Sequence, residues 1–321
     1  MIVITGGLGF IGSALIYKLN KIGITDIIIV DLLEDNHLKY KNVERLKYRE
    51  ILDPFNFLEE FKRFKDIDVI FHFGAITDTL SNDEEKFMKY NLNYSVSLGN
   101  LCKEYGKRLI YASSAATYGN GDNFNDDEGQ IYSLKPLNIY GRSKHLFDIW
   151  IKENNLFNEW ASLKFFNVYG PNEYHKGRMA SFIYQSIKQA EKGKIRLFKS
   201  YKKDIKDGEQ KRDFIYIKDV VDMIIFVYEK RLKGIFNIGT GIARSFIDIV
   251  QSVSYALKRK IDIEFIDMPE EIRDSYQYYT CADIRKIKDA GYNKKFWTLE
   301  EGVEDYLNYI KNSDYLWKED L

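Results

Sequence analysis

The chain has 321 residues, enough for one large α/β domain with an insertion or for two closely joined domains. Its 48 lysines and arginines equal its 48 aspartates and glutamates, so no net charge would attract nucleic acid or an anionic membrane. No apolar stretch reaches the roughly 20 residues of a membrane span, and we expect no signal peptide and a cytoplasmic location.

The first apolar run, Ile2–Ile4, is followed at once by a glycine-rich segment. This segment reads Thr5-Gly-Gly-Leu-Gly-Phe-Ile-Gly12, and Gly6, Gly9 and Gly12 recur every three residues. Glycine permits a tight turn and lets the backbone approach a pyrophosphate, which the N-terminus of the next helix then favours. The chain is therefore predicted to open with a dinucleotide-binding site.

Further short apolar runs follow, each separated from the next by helix-length sequence. They are Ile27–Asp31, Val69–Phe73, Leu109–Ser113 and Trp160–Asn167, and long helices are predicted over Glu84–Tyr105 and Ile139–Asn154. Strands that alternate with helices form βαβ units and pair in parallel. The fold class predicted is therefore α/β, with a Rossmann-type doubly wound parallel sheet.

Residues after the second and third strands bear on the choice of cofactor. Asp31 ends the second strand, where an acidic residue would bind the ribose 2′-hydroxyl of NAD. Lys39 follows in the same loop and could instead neutralise the 2′-phosphate of NADP, so both cofactors stay open, with NAD slightly ahead. Phe73-Gly74-Ala75 would line the adenine and ribose side. Asn91 could either bond to the backbone and stiffen the site or be an exposed helical residue.

The spacing of the histidines and cysteines predicts neither a metal site nor a disulfide. The four histidines lack metal-ligand spacing, so no metal site is predicted. His72 lies in an apolar run, where a histidine satisfied by local hydrogen bonds is commoner than a ligand. Cys102 and Cys281 lie far apart and indicate a reduced chain without a disulfide framework.

Tyr140 and Lys144 carry the strongest indication of chemistry. They lie four residues apart in Leu137-Asn-Ile-Tyr-Gly-Arg-Ser-Lys144, so both would share one face of a helix. A neighbouring cation lowers the pKa of a phenol from about 10 towards neutrality and makes it a usable proton acceptor. Ser113-Ser-Ala-Ala-Thr-Tyr118 follows the fourth strand, and a hydroxyl there can hold a substrate oxygen during proton transfer. Since Lys144 can also reach the nicotinamide ribose, these residues predict hydride chemistry on a sugar-like alcohol.

The second half of the chain differs from the first in composition. After Pro171 come mixed, lysine-rich segments and a polar loop at residues 199–210. We expect residues 1–170 to form the dinucleotide-binding Rossmann domain and residues 171–321 to form mainly a smaller C-terminal α/β substrate-binding region. Strands predicted near residues 213–240, at Asp213–Ile217 and Gly234–Gly239, would return to the first domain, so the two regions interleave.

A longer pattern runs through Phe165-Phe-Asn-Val-Tyr-Gly-Pro-Asn-Glu-Tyr-His-Lys-Gly-Arg-Met-Ala-Ser181. Further pieces are Tyr111-Ala-Ser-Ser-Ala-Ala-Thr-Tyr-Gly119, Lys135-Pro-Leu-Asn138, Lys211-Arg-Asp-Phe214, Phe236-Asn-Ile-Gly-Thr-Gly241 and Tyr276-Gln277. With these motifs the chain resembles the extended short-chain dehydrogenase/reductase family almost from end to end. Within that family it looks like the isomerases that invert C6 of ADP-heptose for lipopolysaccharide heptose supply. The resemblance implies tightly held NADP with Lys39 beside the 2′-phosphate, NAD being the alternative, and homo-oligomers that are pentameric in known relatives.

The resemblance also assigns roles by position. Ser114, Tyr140 and Lys144 match the catalytic triad, and Lys176 matches a lysine that serves as a second acid/base. Positions matching the cofactor pocket are Gly6, Gly9, Phe10, Ile11, Gly12, Asp31, Leu32, Lys39, Phe73, Gly74, Ala75, Ile76, Thr77, Asn91, Tyr140, Lys144, Val168 and Lys176. Positions matching the substrate pocket are Asn167, Arg178, Gln185, Phe198, Lys199, Ser200, Tyr201, Arg212 and Tyr276. Arg178 departs from the family's serine, so its contact must differ, and the loop from 198 to 212 is longer.

Two acid/base groups make sense for the implied reaction. The alcohol at C6 is oxidised to a ketone, the ketone rotates, and the hydride returns to its other face. The rotation carries the oxygen away from the first acid/base group. Tyr140 would then serve one epimer and Lys176 the other. A 4-epimerase of the same family would not need Lys176, and a 4,6-dehydratase usually needs an Asp-Glu pair where this chain has Ala115-Ala116. A non-catalytic cofactor sensor commonly lacks the tyrosine or the lysine.

Overall fold

A computed structural model describes residues 1–32, 37–79, 81–121, 123–273, 275–312 and 316–317. Its strands are β1 (Ile2–Thr5), β2 (Ile27–Val30), β3 (Glu50–Leu52), β4 (Val69–His72), β5 (Arg108–Ser114), β6 (Ala161–Phe165), β7 (Asn167–Tyr169), β8 (Lys194–Phe198), β9 (Lys211–Tyr216), β10 (Gly234–Ile238), β11 (Ala243–Ser245) and β12 (Asp262–Ile266). Its α-helices are α1 (Phe10–Lys21), α2 (His37–Tyr40), α3 (Pro54–Glu59), α4 (Glu84–Phe87), α5 (Tyr94–Glu104), α6 (Ile139–Glu153), α7 (Phe182–Ala190), α8 (Ile217–Glu229), α9 (Phe246–Ala256), α10 (Glu270–Arg273), α11 (Arg285–Asp289) and α12 (Leu299–Asn312).

The main sheet has seven strands in the order β10-β6-β5-β4-β1-β2-β3, and all neighbours pair in parallel. Residues of β1 point alternately to its two faces, so Ile2 and Ile4 join one buried cluster and Val3 joins the other. Burial of both faces explains why these strands are continuous apolar runs. The Rossmann-type doubly wound sheet predicted from the sequence is confirmed.

Two smaller sheets lie outside the main one. They have the orders β11-β9-β7 and β12-β8. Of the two later strands expected to return, β10 pairs with β6 in the main sheet, whereas β9 pairs with β7 and β11. Strand β9 thus pairs with a strand of residues 1–170 without joining the main sheet. The division near residue 170 stays a prediction.

The predicted helix over 84–105 is interrupted in the middle. A π-helical segment, Met88–Asn93, separates α4 from α5. The helix predicted from Ile139 begins as expected and ends at Glu153. Strand β3 was not predicted, since its three residues include the exposed Glu50 at the edge of the sheet. No helix in the described ranges is long and apolar enough to cross a membrane.

Candidate active site

The glycine-rich segment forms the turn between β1 and α1. Gly6 adopts a φ of +70°, a left-handed conformation that glycine tolerates best. A Cβ atom on Gly12 would lie 2.2 Å from the carbonyl oxygen of Gly6, so no larger residue fits where α1 begins. The turn thus places the N-terminus of α1 at the carboxyl edge of the sheet, where folds of this kind bind dinucleotides.

Asp31 lies beside this turn and is bound by backbone groups. Its carboxylate accepts hydrogen bonds from the amides of Leu8, at 3.0 Å, and Leu32, at 2.9 Å. Lys39 places its Nζ 3.8 Å from Oδ1 of Asp31. Burial raises the pKa of Asp31, and Lys39 and the two amides oppose that rise. The carboxylate therefore braces the glycine-rich turn, with a half-buried cation next to it.

Asn91 clamps the segment that follows β4. Its amide donates to the carbonyl of Ile76 at 3.0 Å and accepts from the amide of Ile76 at 2.8 Å. It also donates to the hydroxyl of Ser143 on α6 at 3.1 Å. The bonds to Ile76 are the backbone hydrogen bonds that the stiffening role of Asn91 requires. With the bond to Ser143 they connect the segment Phe73, Gly74, Ala75, Ile76, Thr77 to the helix that carries Tyr140 and Lys144.

His72 is the last residue of β4, and both of its ring nitrogens have hydrogen-bond partners in the core. Its ring nitrogens lie 2.6 Å from the hydroxyl of Thr5 and 2.8 Å from that of Ser95. Burial first, and then the charge of Lys144, lowers the pKa of His72 to about 3. The ring is therefore neutral, as the interpretation as a core histidine requires. Within the described part of the chain, no three His, Cys, Asp or Glu side chains gather as a metal site would need.

Helix α6 brings Tyr140 and Lys144 against the turn that follows β5. Asn138 caps the helix by accepting from the amide of Gly141 at 2.7 Å. A Cβ on Gly141 would lie 2.9 Å from the carbonyl oxygen of Ala116, so glycine allows this close approach. Ser114 hydrogen-bonds to Tyr140, which joins the strand end to the helix. Ser114, Tyr140 and Lys144 are thus brought into one site.

The electrostatics of this site differ from the expectation in one respect. Burial raises the pKa of Tyr140, and the hydrogen bond with Ser114 offsets only part of the rise. The lowered phenol pKa expected from the nearby lysine is therefore wrong for these residues, since desolvation dominates. Burial lowers the pKa of Lys144 to about 8, opposed by the carboxylate of Asp148.

Lys176 lies in the 3₁₀-helical segment Tyr174–Met179 and reaches towards the glycine-rich turn. Its Nζ is 5.7 Å from the centre of the Phe10 ring. Burial lowers the pKa of Lys176, and the carboxylate of Glu173 opposes this effect. Gln185 donates to the carbonyl of Gly177 at 2.8 Å and so supports the segment from α7. Lys176 is therefore held beside the predicted cofactor turn.

Buried asparagines fasten the start of this loop to the cofactor side. Asn172 adopts a φ of +78°, and its amide donates to the hydroxyl of Ser13 on α1 at 3.1 Å. Asn42 donates to the carbonyl of Leu8 at 2.9 Å and to that of Asn172 at 3.3 Å. The loop carrying Lys176 is thereby coupled to the glycine-rich turn.

The predicted substrate residues fall into two groups. Arg212, 8% exposed, places its guanidinium 5.1 Å from the Tyr276 ring, and the Phe198 ring lies 6.3 Å from the same tyrosine. These three side chains form one aromatic and cationic cluster. Lys199 instead pairs with Asp267 at 3.1 Å, and the amide of Ser200 binds Asp207 at 2.6 Å.

Arg273 and Tyr278, which contact the predicted Tyr201, were not predicted from the sequence. Arg273 stacks on the exposed Tyr201 ring at 4.2 Å, and the hydroxyl of Tyr278 accepts from the amide of Tyr201 at 3.1 Å. Asn167 and Val168, which were predicted for the substrate and cofactor pockets, form β7, where Asn167 is exposed and Val168 is half-buried. Asp148 was also missed, although its position four residues after Lys144 places it on the same helix face.

Fold and site together define a Rossmann-type protein with a serine, tyrosine and lysine centre of the kind that transfers protons to and from alcohols. The family model of the NAD dependent epimerase/dehydratase family matches residues 2–239. The chain belongs to this family.

Individual relatives show a more specific similarity than the family model. The chain is 46% identical to an ADP-L-glycero-D-manno-heptose-6-epimerase of Fusobacterium nucleatum, over 98% of this chain and 99% of that protein. A solved ADP-L-glycero-D-manno-heptose-6-epimerase from Helicobacter pylori superposes with a TM-score of 0.83 at 30% identity, covering 97% and 96% of the two chains. A UDP-glucuronic acid 4-epimerase from Bacillus cereus, in complex with UDP-glucuronic acid and NAD, has a TM-score of 0.80 at 25% identity, covering 97% and 98%.

Proposed function

We propose that this protein is an ADP-L-glycero-D-manno-heptose 6-epimerase, an isomerase that interconverts the two C6 epimers of ADP-heptose. The observation that carries the proposal is Lys176, whose Nζ lies 5.7 Å from the Phe10 ring, on the cofactor side of a site that already holds Tyr140, Ser114 and Lys144. A dehydrogenase centre with one additional amine suits a reaction in which the same substrate oxygen loses a proton in one position and gains a proton in another. The relatives that carry this name support the proposal.

A nicotinamide dinucleotide fits the residues present, and we propose NADP. The glycine-rich turn would hold its pyrophosphate, since Gly12, where a Cβ would lie 2.2 Å from the carbonyl oxygen of Gly6, lets α1 start directly against the turn. Both carboxylate oxygens of Asp31 already accept backbone amides, whereas Lys39 stands beside them and could bind a 2′-phosphate. The bound cofactor would take a hydride from C6 and return it. NAD, which the Bacillus cereus structure contains, is the alternative.

The protein's own groups would move the protons. Tyr140, beside Ser114, would take the proton of the C6 hydroxyl as that alcohol is oxidised, and its phenol must first lose its own proton against the pKa that burial raises. After the ketone turns, the ammonium of Lys176 would supply a proton to the oxygen in its new position. Burial lowers the pKa of Lys176, which makes its proton easier to give. Arg212 and Tyr276 would bind the nucleotide part, a base stacking on the ring and a phosphate meeting the guanidinium.

Turnover of ADP-heptose in D₂O tests the proposed reaction. Oxidation and reduction at one carbon return the substrate's own hydrogen, so the product should carry no solvent deuterium at C6. Substrate labelled with deuterium at C6 should keep its label over many turnovers. Stoichiometric solvent deuterium at C6, read by mass spectrometry and NMR, would replace the hydride mechanism with removal of a carbon-bound proton. Absence of turnover with ADP-heptose, alongside turnover of a UDP-sugar, would favour a 4-epimerase.

We also propose that the enzyme works in the cytoplasm as a homo-oligomer, pentameric as the family resemblance implies. Its proposed substrate and cofactor are both soluble nucleotides, which supports that location. Sedimentation velocity of the purified protein measures the assembly directly, and a single monomeric species would contradict it.

A further inference from the structure

A buried ion pair lies beneath Ser114 and Lys144, between β5, β6 and α6. The Nζ of Lys164 is 2.7 Å from Oδ2 of Asp148, and the two side chains are 1% and 0% exposed. Burying both charges is costly, so such a pair is weak evidence of a gain in stability. Both side chains also make further hydrogen bonds, which link the pair to the candidate active site.

Asp148 is bound from both neighbouring strands. Its carboxylate accepts from the hydroxyls of Tyr111 and Ser113, each at 2.7 Å, and of Ser162 at 3.1 Å. Burial alone would raise the pKa of Asp148, but Lys164 and the hydroxyls of Tyr111 and Ser113 together hold it below its ordinary value. The carboxylate therefore stays charged at neutral pH, and it fixes Ser113, the residue directly before Ser114.

Lys164 continues the connection to Ser114 itself. Its ammonium donates to the hydroxyl of Thr117 at 2.6 Å, and that hydroxyl donates to the carbonyl of Ser114 at 2.8 Å. Thr117 is fully buried, so this carbonyl has a fixed partner that water does not replace. Hydrogen bonds thus run without a break from α6 through β6 to the backbone of Ser114.

We propose that Asp148 and Lys164 act as one positioning unit for proton transfer, fixing Ser114 through Thr117 and keeping the amine of Lys144 charged. The roles of Ser114 and Lys144 in catalysis rest on the proposed function, whereas the charge on Lys144 is a property of the folded protein that can be measured without substrate.

The charge argument follows from the groups that face Lys144. On its own helix these are Tyr140 and, one turn later, Asp148. From β4 comes His72, which is buried and neutral. Asp148 is the carboxylate that opposes the lowering of the Lys144 pKa to about 8. Without that carboxylate the pKa of Lys144 falls further, and a larger share of the amine is neutral near pH 8.

The double variant Asp148→Asn, Lys164→Met tests the unit without stranding a buried charge, since removing both members of such a pair is tolerated better than removing one. The lysines are labelled with ¹³C at Cε, and the Lys144 resonance is assigned by its loss in Lys144→Met. NMR titration should then show its pKa lowered by about one unit, which is a tenfold change in the ratio of charged to neutral amine. The alkaline limb of kcat should move to lower pH by a similar amount, with KM within about twofold.

Thr117→Val and Ser162→Ala separate positioning from charge. Thr117→Val removes the hydrogen bond to the carbonyl of Ser114 and should lower kcat about tenfold, which corresponds to about 1.4 kcal/mol of transition-state stabilisation. KM and the pKa of Lys144 should be unchanged. Ser162→Ala removes a hydroxyl on the far side of Asp148 and should leave all three unchanged. A folded double variant with an unmoved Lys144 pKa would overturn the charge role, and wild-type kcat in Thr117→Val would overturn the positioning role. A lowered Lys144 pKa in a protein that does not epimerise ADP-heptose would leave the charge role standing and reject the proposed function alone.

Discussion

Arg178 and Asp78 form an ion pair of 2.6 Å that connects two segments on opposite sides of the candidate site. Asp78 directly follows the segment 73–77 after β4, and Arg178 lies two residues beyond Lys176. The pair therefore bridges the predicted cofactor segment and the loop that holds the second acid/base. It also explains how this chain uses an arginine where its family resemblance leads one to expect serine.

This bridge should slow the exchange of bound nucleotide. Arg178→Ser should accelerate release of the dinucleotide about two- to fivefold, since exposed ion pairs contribute up to about 1 kcal/mol. The measurement is stopped-flow displacement of bound nucleotide, followed by its fluorescence after reduction. The charge swap Arg178→Asp, Asp78→Arg should restore slow release, and 1 M salt should remove the difference between the variants. Equal release rates at low salt would show that the bridge does not restrict the cofactor.

Lys39 should decide which dinucleotide is preferred. Lys39→Glu should weaken binding of NADP by about 1–3 kcal/mol, the worth of a charge-assisted hydrogen bond, and spare NAD. Calorimetric titration of each dinucleotide into stripped protein provides the comparison. Lys41→Glu, in an exposed position nearby, is the matched control and should affect neither. Equal losses for both cofactors in Lys39→Glu would show that Lys39 does not contact the 2′-phosphate.

Tyr140 and Lys176 should each be required for turnover. Tyr140→Phe and Lys176→Met should lower kcat by about 10²–10⁴-fold, the usual contribution of positioned proton transfer. Tyr132→Phe and Lys192→Met, both at exposed positions, control for the chemical change and should retain activity. Circular dichroism should show all four variants folded. Near-normal turnover by Lys176→Met would leave this lysine as a loop residue without a catalytic role.

Asp219 should make stability fall as the pH rises. It is 3% exposed, accepts a hydrogen bond from the amide of Trp297 at 3.0 Å, and burial raises its pKa to about 7. Because the folded-state pKa lies above that of the unfolded chain, folding takes up a proton. The contribution of Asp219 to stability is therefore greatest below about pH 4 and declines towards pH 7.

Asp219→Asn should remove this decline. The amide oxygen can still accept from Trp297, so at pH 8 the variant should be more stable by roughly 1–3 kcal/mol, with little difference at pH 4. Urea unfolding at the two pH values measures the effect. Asp204→Asn, at an exposed position, should show no such dependence. The same stability difference at both pH values would mean that the effect does not come from ionisation of Asp219.

Much of the site could be predicted from local sequence because its parts are local. The turn at Gly6 and Gly12 needs residues without a Cβ, and the spacing of Tyr140 and Lys144 places both on one helical face. Parallel strands end at one edge of a sheet, so Ser114 and the segment after β4 were bound to meet there. These features depend on the geometry of a single turn, helix or strand, which short patterns describe well.

Tertiary structure decided what depends on distant partners. Strand β9 resembles β10 in composition, yet only pairing places it in the small sheet with β7. The pKa of Tyr140 is raised because folding removes water from the phenol, an effect that the spacing to Lys144 does not show. Asp148 and Lys164 are ordinary charged residues in the sequence, and their joint burial beneath Ser114 exists only once α6 packs on β5 and β6. Solvation and long-range packing determine these properties, and a short segment of sequence contains neither.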